Sequence, residues 1–289
     1  MKLPHFEYEA PASLDEAVAL LVAGDGSARP IAGGQSFVPV MAFRLAEPSM
    51  LVDLRNIPGL DKIEITDAGV RIGAMVRWRD VLDDARLVEA LPLLPAAIDH
   101  VAHYQIRNRG TVGGSLAHAD PAAEMPTIAL TCDAVLEVVG SKGQRSVKAA
   151  DLFMGPLMTS LESDEIITSV LLPAWPADRR WAFQEFARRR GDFALAGIAL
   201  FYDEDASGAA HNVHIGAISV GDTPLRLAKA EAVLNGRKID EAAIAEAAAA
   251  ASAEVDPSGD IHASARYRKS LVGTLLSRAL QGAANRKAK

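Results

Sequence analysis

A proline-rich segment, PAWPADRR at residues 173–180, divides the chain into two parts with different patterns. Before it, the sequence predicts strands, hairpins and helices, among them a first helix capped by Ser13 and Glu16 and stopped by Gly24, and a later helix over 93–103. After it, three predicted strands (181–187, 194–202 and 213–220) precede three predicted helices (225–234, 241–253 and 265–279). Proline interrupts both helices and sheet ladders, so the segment predicts a domain boundary. Strands grouped before helices are typical of α+β domains, which predicts such a domain after the break.

Two glycine pairs stand out in the first part. One is Ala32-Gly33-Gly34-Gln35-Ser36, between a predicted strand and a predicted helix over 35–45; the other is Thr111-Val112-Gly113-Gly114-Ser115, at the end of a polar loop predicted over 105–115. Successive backbone N–H groups in glycine-rich turns bind anions. Either pair alone is most often only a turn, and neither fits a dinucleotide or P-loop fingerprint. Together, each with a following hydroxyl residue, they favour a diphosphate held from two sides.

Other polar residues allow more than one interpretation. Asp120 and Glu124 follow the second glycine pair, near the start of a helix predicted over 121–131. They could act as acid and base, hold hydroxyl groups, or be helix N-terminal charges, and the last is favoured slightly. His211 and His214 lie on a predicted strand and face opposite ways, which argues against a shared metal. Residues 188–190, three arginines, are interpreted as a solvated face or a subunit contact.

Composition limits the chemistry of the chain. Cys132 is the single cysteine, which excludes an intrachain disulfide, a thiolate zinc site and a cysteine-ligated iron–sulfur cluster within this chain. A reducing, cytoplasmic setting is the simplest expectation. The net charge of −7 disfavours a nucleic-acid partner. The sequence has neither an apolar run of about 20 residues nor a signal-like N-terminus, so no integral membrane segment is expected.

Six stretches, ordered along nearly the whole chain, together resemble the FAD-binding medium subunits of molybdenum hydroxylases, the carbon monoxide dehydrogenase and xanthine dehydrogenase group. They are FEYEAPASLDEAVALL, PIAGGQSFVPVMAFRLAEPSMLVDLRNIPGL, VRIGAMVRW, QIRNRGTVGGSLAHADPAAEMP, DEIITSVLLP and FARRRGDFALAGIAL. The resemblance implies an α+β protein with a PCMH-type FAD-binding domain over 1–175, itself two subdomains of about 1–55 and 56–175. It also implies a smaller C-terminal α+β domain over 176–289, with an antiparallel sheet of three or more strands and a helical layer.

The resemblance also implies roles for individual residues. The FAD diphosphate would be wrapped by Ala32, Gly33, Gly34, Gln35 and Ser36, and from the other side by Thr111, Gly113, Gly114 and Ser115. Glu124 stands where many relatives have an aspartate that bonds FAD hydroxyls. The remaining expected contacts are the flavin-pocket positions Val101 and Ala102, the partly backbone contacts Ile167 and Glu185, and Phe193 beside the flavin ring. No residue of this chain is expected to act as a base on the substrate or to bind a metal.

The implied function is electron transfer within a larger enzyme. Electrons would pass from [2Fe–2S] clusters of a small partner subunit, through non-covalently bound FAD, to an external acceptor. A large partner subunit would hold the molybdenum–pterin cofactor, in a dimer of heterotrimers. Members that oxidise carbon monoxide usually have histidine where this chain has Gln35, which favours an organic, heterocyclic substrate instead.

Two alternatives stay open at this point. One is a self-contained FAD-dependent oxidase or reductase with a substrate pocket in residues 181–289. The predicted strands of that region offer few convergent polar groups. The other is a flavin-free scaffold or binding module. Copurification with cluster-bearing and molybdenum-bearing chains favours the electron-transfer subunit, and turnover by this chain alone favours the oxidase or reductase. Absence of FAD from every preparation favours the scaffold.

Overall fold

The computed structural model describes residues 2–285. The strands are β1 Glu7–Glu9, β2 Ala28–Ile31, β3 Met50–Asp53, β4 Ile63–Thr66, β5 Gly69–Gly73, β6 Val135–Gly140, β7 Gly143–Lys148, β8 Phe153–Gly155, β9 Met158–Thr159, β10 Ile166–Pro173, β11 Arg180–Phe186, β12 Ala196–Glu204, β13 Ala210–Ile218 and β14 Leu225–Arg226. The helices are α1 Leu14–Ala23, α2 Phe37–Ala42, α3 Trp78–Asp83, α4 Leu87–Ala90, α5 Leu93–Ile98, α6 Tyr104–Arg107, α7 Val112–His118, α8 Glu124–Thr131, α9 Ala228–Leu234, α10 Glu241–Glu254 and α11 Ala265–Ala284.

The N-terminal sheet is small and parallel, in the order β1-β3-β2. Helix α1 packs on it through Ala17, Val18 and Leu21, which are buried. The Ser13 hydroxyl accepts a hydrogen bond from the Glu16 N–H at 3.2 Å, as the capping pattern predicts. The helix ends before Gly24, also as predicted. These local signals therefore place the first helix correctly.

The second sheet has five antiparallel strands in the order β4-β5-β10-β6-β7. Helices α3, α5, α7 and α8 contribute to the large apolar core that covers it. Leu94, Ala97 and Ile98 of α5 are fully buried in that core. The helix predicted over 93–103 is shorter in the structure and ends at Ile98. It cannot extend to residue 103, since Ala102 has a positive φ of 42°.

The third sheet is antiparallel, with four strands in the order β11-β12-β13-β14. One face forms a core with α9, α10 and α11, which confirms the expected antiparallel sheet with a helical layer. The other face packs on the large apolar core that covers the five-stranded sheet, where Ala199 and Phe201 are buried. β14 was not predicted: its two residues open the segment assigned to a helix over 225–234, and the helix itself begins at Ala228.

The loop predicted over 105–115 contains two helical segments instead. α6 occupies its first part, and α7 begins at Val112, so Gly113 and Gly114 lie in the first turn of a helix. Thr111 caps α7 through its hydroxyl, which accepts from the Gly114 N–H at 3.2 Å. Glycine lowers helix propensity by about 1 kcal/mol relative to alanine, which explains why the sequence pattern favoured a loop.

No helix among residues 2–285 has both the length and the apolar character needed to cross a bilayer. The alanine-rich α10 instead packs closely against α11. A Cβ added at Gly273 of α11 would collide with Ser252 Oγ and lie 3.1 Å from the Ala248 carbonyl oxygen. The small residues of α10 thus let two helix backbones approach.

This close approach predicts opposite effects for two glycines of α11. We expect Gly273→Ala to lower the free energy of unfolding by about 1–2 kcal/mol, because the added methyl group overpacks the contact with α10. At Gly282, no atom of another element within residues 2–285 lies within 4 Å of an added Cβ. Gly282→Ala should therefore raise stability by about 0.5–1 kcal/mol through helix propensity. Urea unfolding of both variants checks this, and equal shifts of the same sign would contradict the close packing.

Candidate functional site

The first glycine segment joins β2 to α2. Gly34 has a positive φ of 71°, which favours glycine, and Gly33 lies against the backbone of Arg109 and Gly110. A Cβ at Gly33 would collide with the Arg109 carbonyl oxygen. Within residues 2–285, the backbone N–H groups of Gly33, Gly34, Gln35 and Ser36 donate no hydrogen bond to a protein acceptor. The segment therefore offers a short row of free donors.

The second glycine segment differs from the first in its hydrogen bonding. The Val112 N–H donates to the Val76 carbonyl at 3.0 Å, and the Gly113 N–H donates to the Ala74 carbonyl at 2.9 Å. The N–H groups of Gly114 and Ser115 donate to the Thr111 hydroxyl and carbonyl. These donors already have protein acceptors, so the two segments differ in the backbone N–H groups that they leave free. The expected contact of Thr111, Gly113, Gly114 and Ser115 with a diphosphate stays a prediction.

The fold brings the two segments together. Gly114 lies beside Ala32: a Cβ added at Gly114 would be 3.5 Å from the Cβ of Ala32. A cleft of about 460 Å³ opens along the first segment. Its lining residues are Phe6, Tyr8, Ile31, Ala32, Gly33, Gly34, Gln35, Val38, Pro39, Leu51, Asp53, Arg55 and Arg109.

A fixed polar group closes one wall of this cleft. Asp53 is 1% exposed and accepts hydrogen bonds from Tyr8 Oη at 2.7 Å and Arg55 Nε at 2.7 Å. Burial favours the neutral form of Asp53, but the hydrogen bonds from Arg55 and Tyr8 outweigh it and hold its pKa below the ordinary value. Sequence reasoning missed this group because Tyr8 on β1 is 45 residues from Asp53 on β3, so no short motif joins them.

A second group of the expected residues lies where the chain emerges from α5. Arg107 Nη1 donates to the carbonyl groups of Val101 and Ala102 at 3.0 and 3.1 Å. Gly191, with a φ of 87°, packs against the Ala102 carbonyl and the His103 ring. The loop before Phe193 is thereby held beside the Val101–Ala102 turn, and the Phe193 side chain is 69% exposed. Helix α6 connects this turn to Arg109 at the cleft.

Two buried carboxyl groups lie near the same turn. Glu124 is the first residue of α8 and is 7% exposed. Burial raises its pKa to about 7, outweighing the hydrogen bond from its own backbone N–H. Burial raises the pKa of Glu185 to about 8, with a further contribution from the charge of Glu124. His100 Nδ1 lies 3.8 Å from Glu185 Oε1. The sequence reasoning also missed His100.

Ile167 lies apart from these groups. It is 5% exposed on β10, where it pairs with Val138 of β6 in the large core. Its side chain packs in that core, so its expected cofactor contact stays a prediction.

Two protein families match the chain. "FAD binding domain in molybdopterin dehydrogenase" matches residues 4–175, and "CO dehydrogenase flavoprotein C-terminal domain" matches residues 181–283. The chain belongs to the FAD-binding medium subunits of the molybdenum hydroxylases. It is thus an oxidoreductase component whose larger domain binds FAD.

Relatives match over nearly their full length. The nicotine 6-hydroxylase medium subunit of Paenarthrobacter nicotinovorans is 43% identical, with 97% of this chain and 98% of the relative covered. Quinoline 2-oxidoreductase from Pseudomonas putida 86 superposes with a TM-score of 0.93 at 42% identity, covering 98% of each chain. Carbon monoxide dehydrogenase from Hydrogenophaga pseudoflava superposes with a TM-score of 0.95 at 37% identity, covering 98% and 99%.

The contact of Gly33 with the Arg109 backbone predicts a steric effect on FAD binding by this medium subunit. Gly33→Ala should raise the dissociation constant of FAD at least about tenfold, because the methyl group forces the Arg109 backbone away from the cleft. Gly155→Ala is the matched control, since within residues 2–285 its added Cβ would meet only Met158 Sδ, at an ordinary 3.8 Å. Flavin fluorescence titration measures both variants. Equal affinities would contradict the assignment of the cleft.

Proposed function

We propose that this medium subunit carries electrons between partner iron–sulfur clusters and an external acceptor through FAD. The main support for the proposal is the row of free backbone N–H groups in the first glycine segment. The contact of Gly33 with Arg109 holds this segment in place. Bound FAD supplies a redox centre that exchanges electrons singly or in pairs. The residues of the chain bind and orient it, and no side chain of this subunit acts on the substrate.

The diphosphate position follows from the hydrogen bonding. The N–H groups of Gly33 to Ser36 would donate to the phosphate oxygens, with Ala32 at the start of the segment. An anion needs donors that are not already used, and this segment has them. Thr111, Gly113, Gly114 and Ser115 would close the opposite wall, with the two hydroxyl groups facing the ribityl side. An acidic chain can bind a diphosphate in this way because backbone dipoles supply the attraction.

The flavin end of FAD would lie beside the turn formed by Val101 and Ala102. Val101 and Ala102 form the turn held by Arg107, and Glu124 would bond FAD hydroxyls. Phe193 is exposed, so its ring is accessible to a flavin ring. Ile167 and Glu185 complete the proposed set. The Glu185 Oε2 atom is buried without a hydrogen-bond partner within residues 2–285, which fits a group completed by a ligand.

The domain division belongs to the same proposal. We place the FAD-binding domain at 1–175, with subdomains of about 1–55 and 56–175, and the C-terminal domain at 176–289. Separate apolar cores support it: one lies around α1, β2 and β3, another around the five-stranded sheet, and a third between the last sheet and its helices. Residues 286–289 lie outside the described part of the chain.

The partners would be a molybdenum-binding large subunit and an iron–sulfur small subunit, assembled in the cytoplasm as a dimer of heterotrimers. A single cysteine cannot ligate a cluster, so electrons must enter from another chain. The substrate would be an organic heterocycle. Two relatives, named for nicotine and quinoline, support this class, as does Gln35 in place of the histidine of carbon monoxide-oxidising members.

Purification of the native assembly tests the proposal. We expect this chain to copurify with a molybdenum-bearing and a cluster-bearing chain, and to retain flavin absorbance when FAD is added to the isolated subunit. Dithionite reduction followed by an added acceptor should reoxidise the flavin. A chain that binds no FAD under any condition, or that turns over a substrate alone, would contradict the proposal.

A further inference from the structure

One face of β11 is turned towards the FAD-binding domain. Trp181 and Phe183 on this face pack against the large core of that domain, whereas Ala182, between them, belongs to the C-terminal core. Side chains alternate along a strand, so Glu185 shares the face of Phe183. The rings of Phe183 and His100 are in edge contact, with centroids 5.0 Å apart. Glu185 is therefore a carboxyl group at the interface of the two domains.

The surroundings of Glu185 leave one of its oxygens without a partner. Its side chain is 3% exposed, and Oε1 lies 3.8 Å from His100 Nδ1. The Oε2 atom is buried and has no hydrogen-bond partner within residues 2–285. Across the sheet, Glu185 pairs with Gly197, where a Cβ would lie 2.9 Å from the Ile218 side chain. A buried polar atom left unpaired costs about 1–3 kcal/mol, so its retention calls for a ligand.

Glu124 approaches the same end of this sheet from α8. The Ser219 N–H donates to the Pro121 carbonyl at 2.9 Å, which places the start of α8 over the end of β13. Ile218 of β13 pairs with Gly197, the neighbour of Glu185. Glu124 is thus near enough for its charge to act on Glu185.

The other charged groups around this site are few. His100 and Asp99 come from the end of α5, and Asp120 precedes Glu124 on the α8 side. Arg190 contributes from the following loop but is paired with Asp99 at the surface. No cation within residues 2–285 forms an ion pair with Glu124, and the only one near Glu185 is His100, whose pKa is lowered by burial. Burial and the charge of Glu124 together raise the pKa of Glu185 to about 8, so the neutral form of this carboxyl group predominates at pH 7.

A neutral carboxyl group is a hydrogen-bond donor. His100 directly precedes Val101 and Ala102, the turn assigned to the flavin end of the cofactor. An acceptor at that end, such as a ring carbonyl oxygen or ring nitrogen, would satisfy the donor. We propose that Glu185 is a proton-carrying ligand of the bound cofactor: it donates a hydrogen bond in its neutral form, while Glu124 beside it keeps the proton in place. This inference rests on the proposed function and assigns a chemical role to one residue of that site.

If Glu185 has this role, the affinity of the chain for FAD depends on pH. Binding favours the protonated form, so affinity is full below the pKa of Glu185 and falls as the pH rises through it. For one proton with a pKa of about 8, the dissociation constant of FAD should rise about tenfold between pH 7 and pH 9. Fluorescence of released FAD from the full-length chain measures it across pH 6 to 9.

Three variants separate this role from a merely structural one. Glu185→Gln keeps a donor but cannot ionise, so its affinity should stay within about threefold of the wild-type value at pH 7 and be flat to pH 9. Glu124→Gln removes the neighbouring charge, so weakening should begin at a lower pH than in the wild type. Glu89→Gln, at an exposed position of α4, is the matched control and should follow the wild-type profile. Circular dichroism and melting temperature verify that each variant folds.

The outcomes are distinguishable. FAD that binds with the same affinity from pH 6 to 9 in the wild type, or a Glu185→Gln variant that keeps the wild-type pH profile, would overturn this inference and leave the proposed function intact. A wild-type chain that binds no FAD at any pH would overturn the proposed function itself. The wild-type and Glu124→Gln profiles decide the matter even if Glu185→Gln does not fold.

Discussion

The site of this medium subunit depends on a contact between two backbones, that of Gly33 and that of Arg109. Neither hydrogen bonding nor charge makes the contact; it exists because Gly33 has no Cβ to strike the Arg109 carbonyl. It sets the first glycine segment against the second, next to a cleft that ends at Asp53 and Arg55. The free N–H groups of Gly33 to Ser36 acquire their function only in this arrangement, because isolated turns of this kind are common.

The C-terminal sheet packs between its own helices and the FAD-binding domain. Its two faces serve two cores, one with its own helices and one with the FAD-binding domain. Small residues make the second contact possible: an added Cβ at Gly216 would collide with Thr131 Oγ1 of α8. Because α8 begins with Glu124, this packing also fixes where that carboxyl group lies. The same packing therefore determines both the contact between the two domains and the position of Glu124 at the proposed cofactor site.

Sequence patterns predicted much of this fold, for physical reasons that can be stated. The Ser13 cap and Gly24 delimit α1 because capping is a local interaction. The two glycine segments were recognised as a pair, and the fold brings them together. The start of α7 was missed because its glycines oppose helix formation locally, and the Thr111 cap and the bonds to Ala74 and Val76 override that preference. The Tyr8–Asp53–Arg55 group and the His100–Glu185 contact join distant parts of the chain, which no local pattern reveals.

Hydrogen–deuterium exchange with and without FAD tests the central claim most directly. The account predicts that FAD slows exchange of the N–H groups at residues 33–36, which have no protein acceptor within the described chain. The N–H groups at residues 112–115 should exchange slowly in both states, since they already donate to Val76, Ala74 and Thr111. Unchanged exchange at residues 33–36 in the presence of saturating FAD would contradict the account.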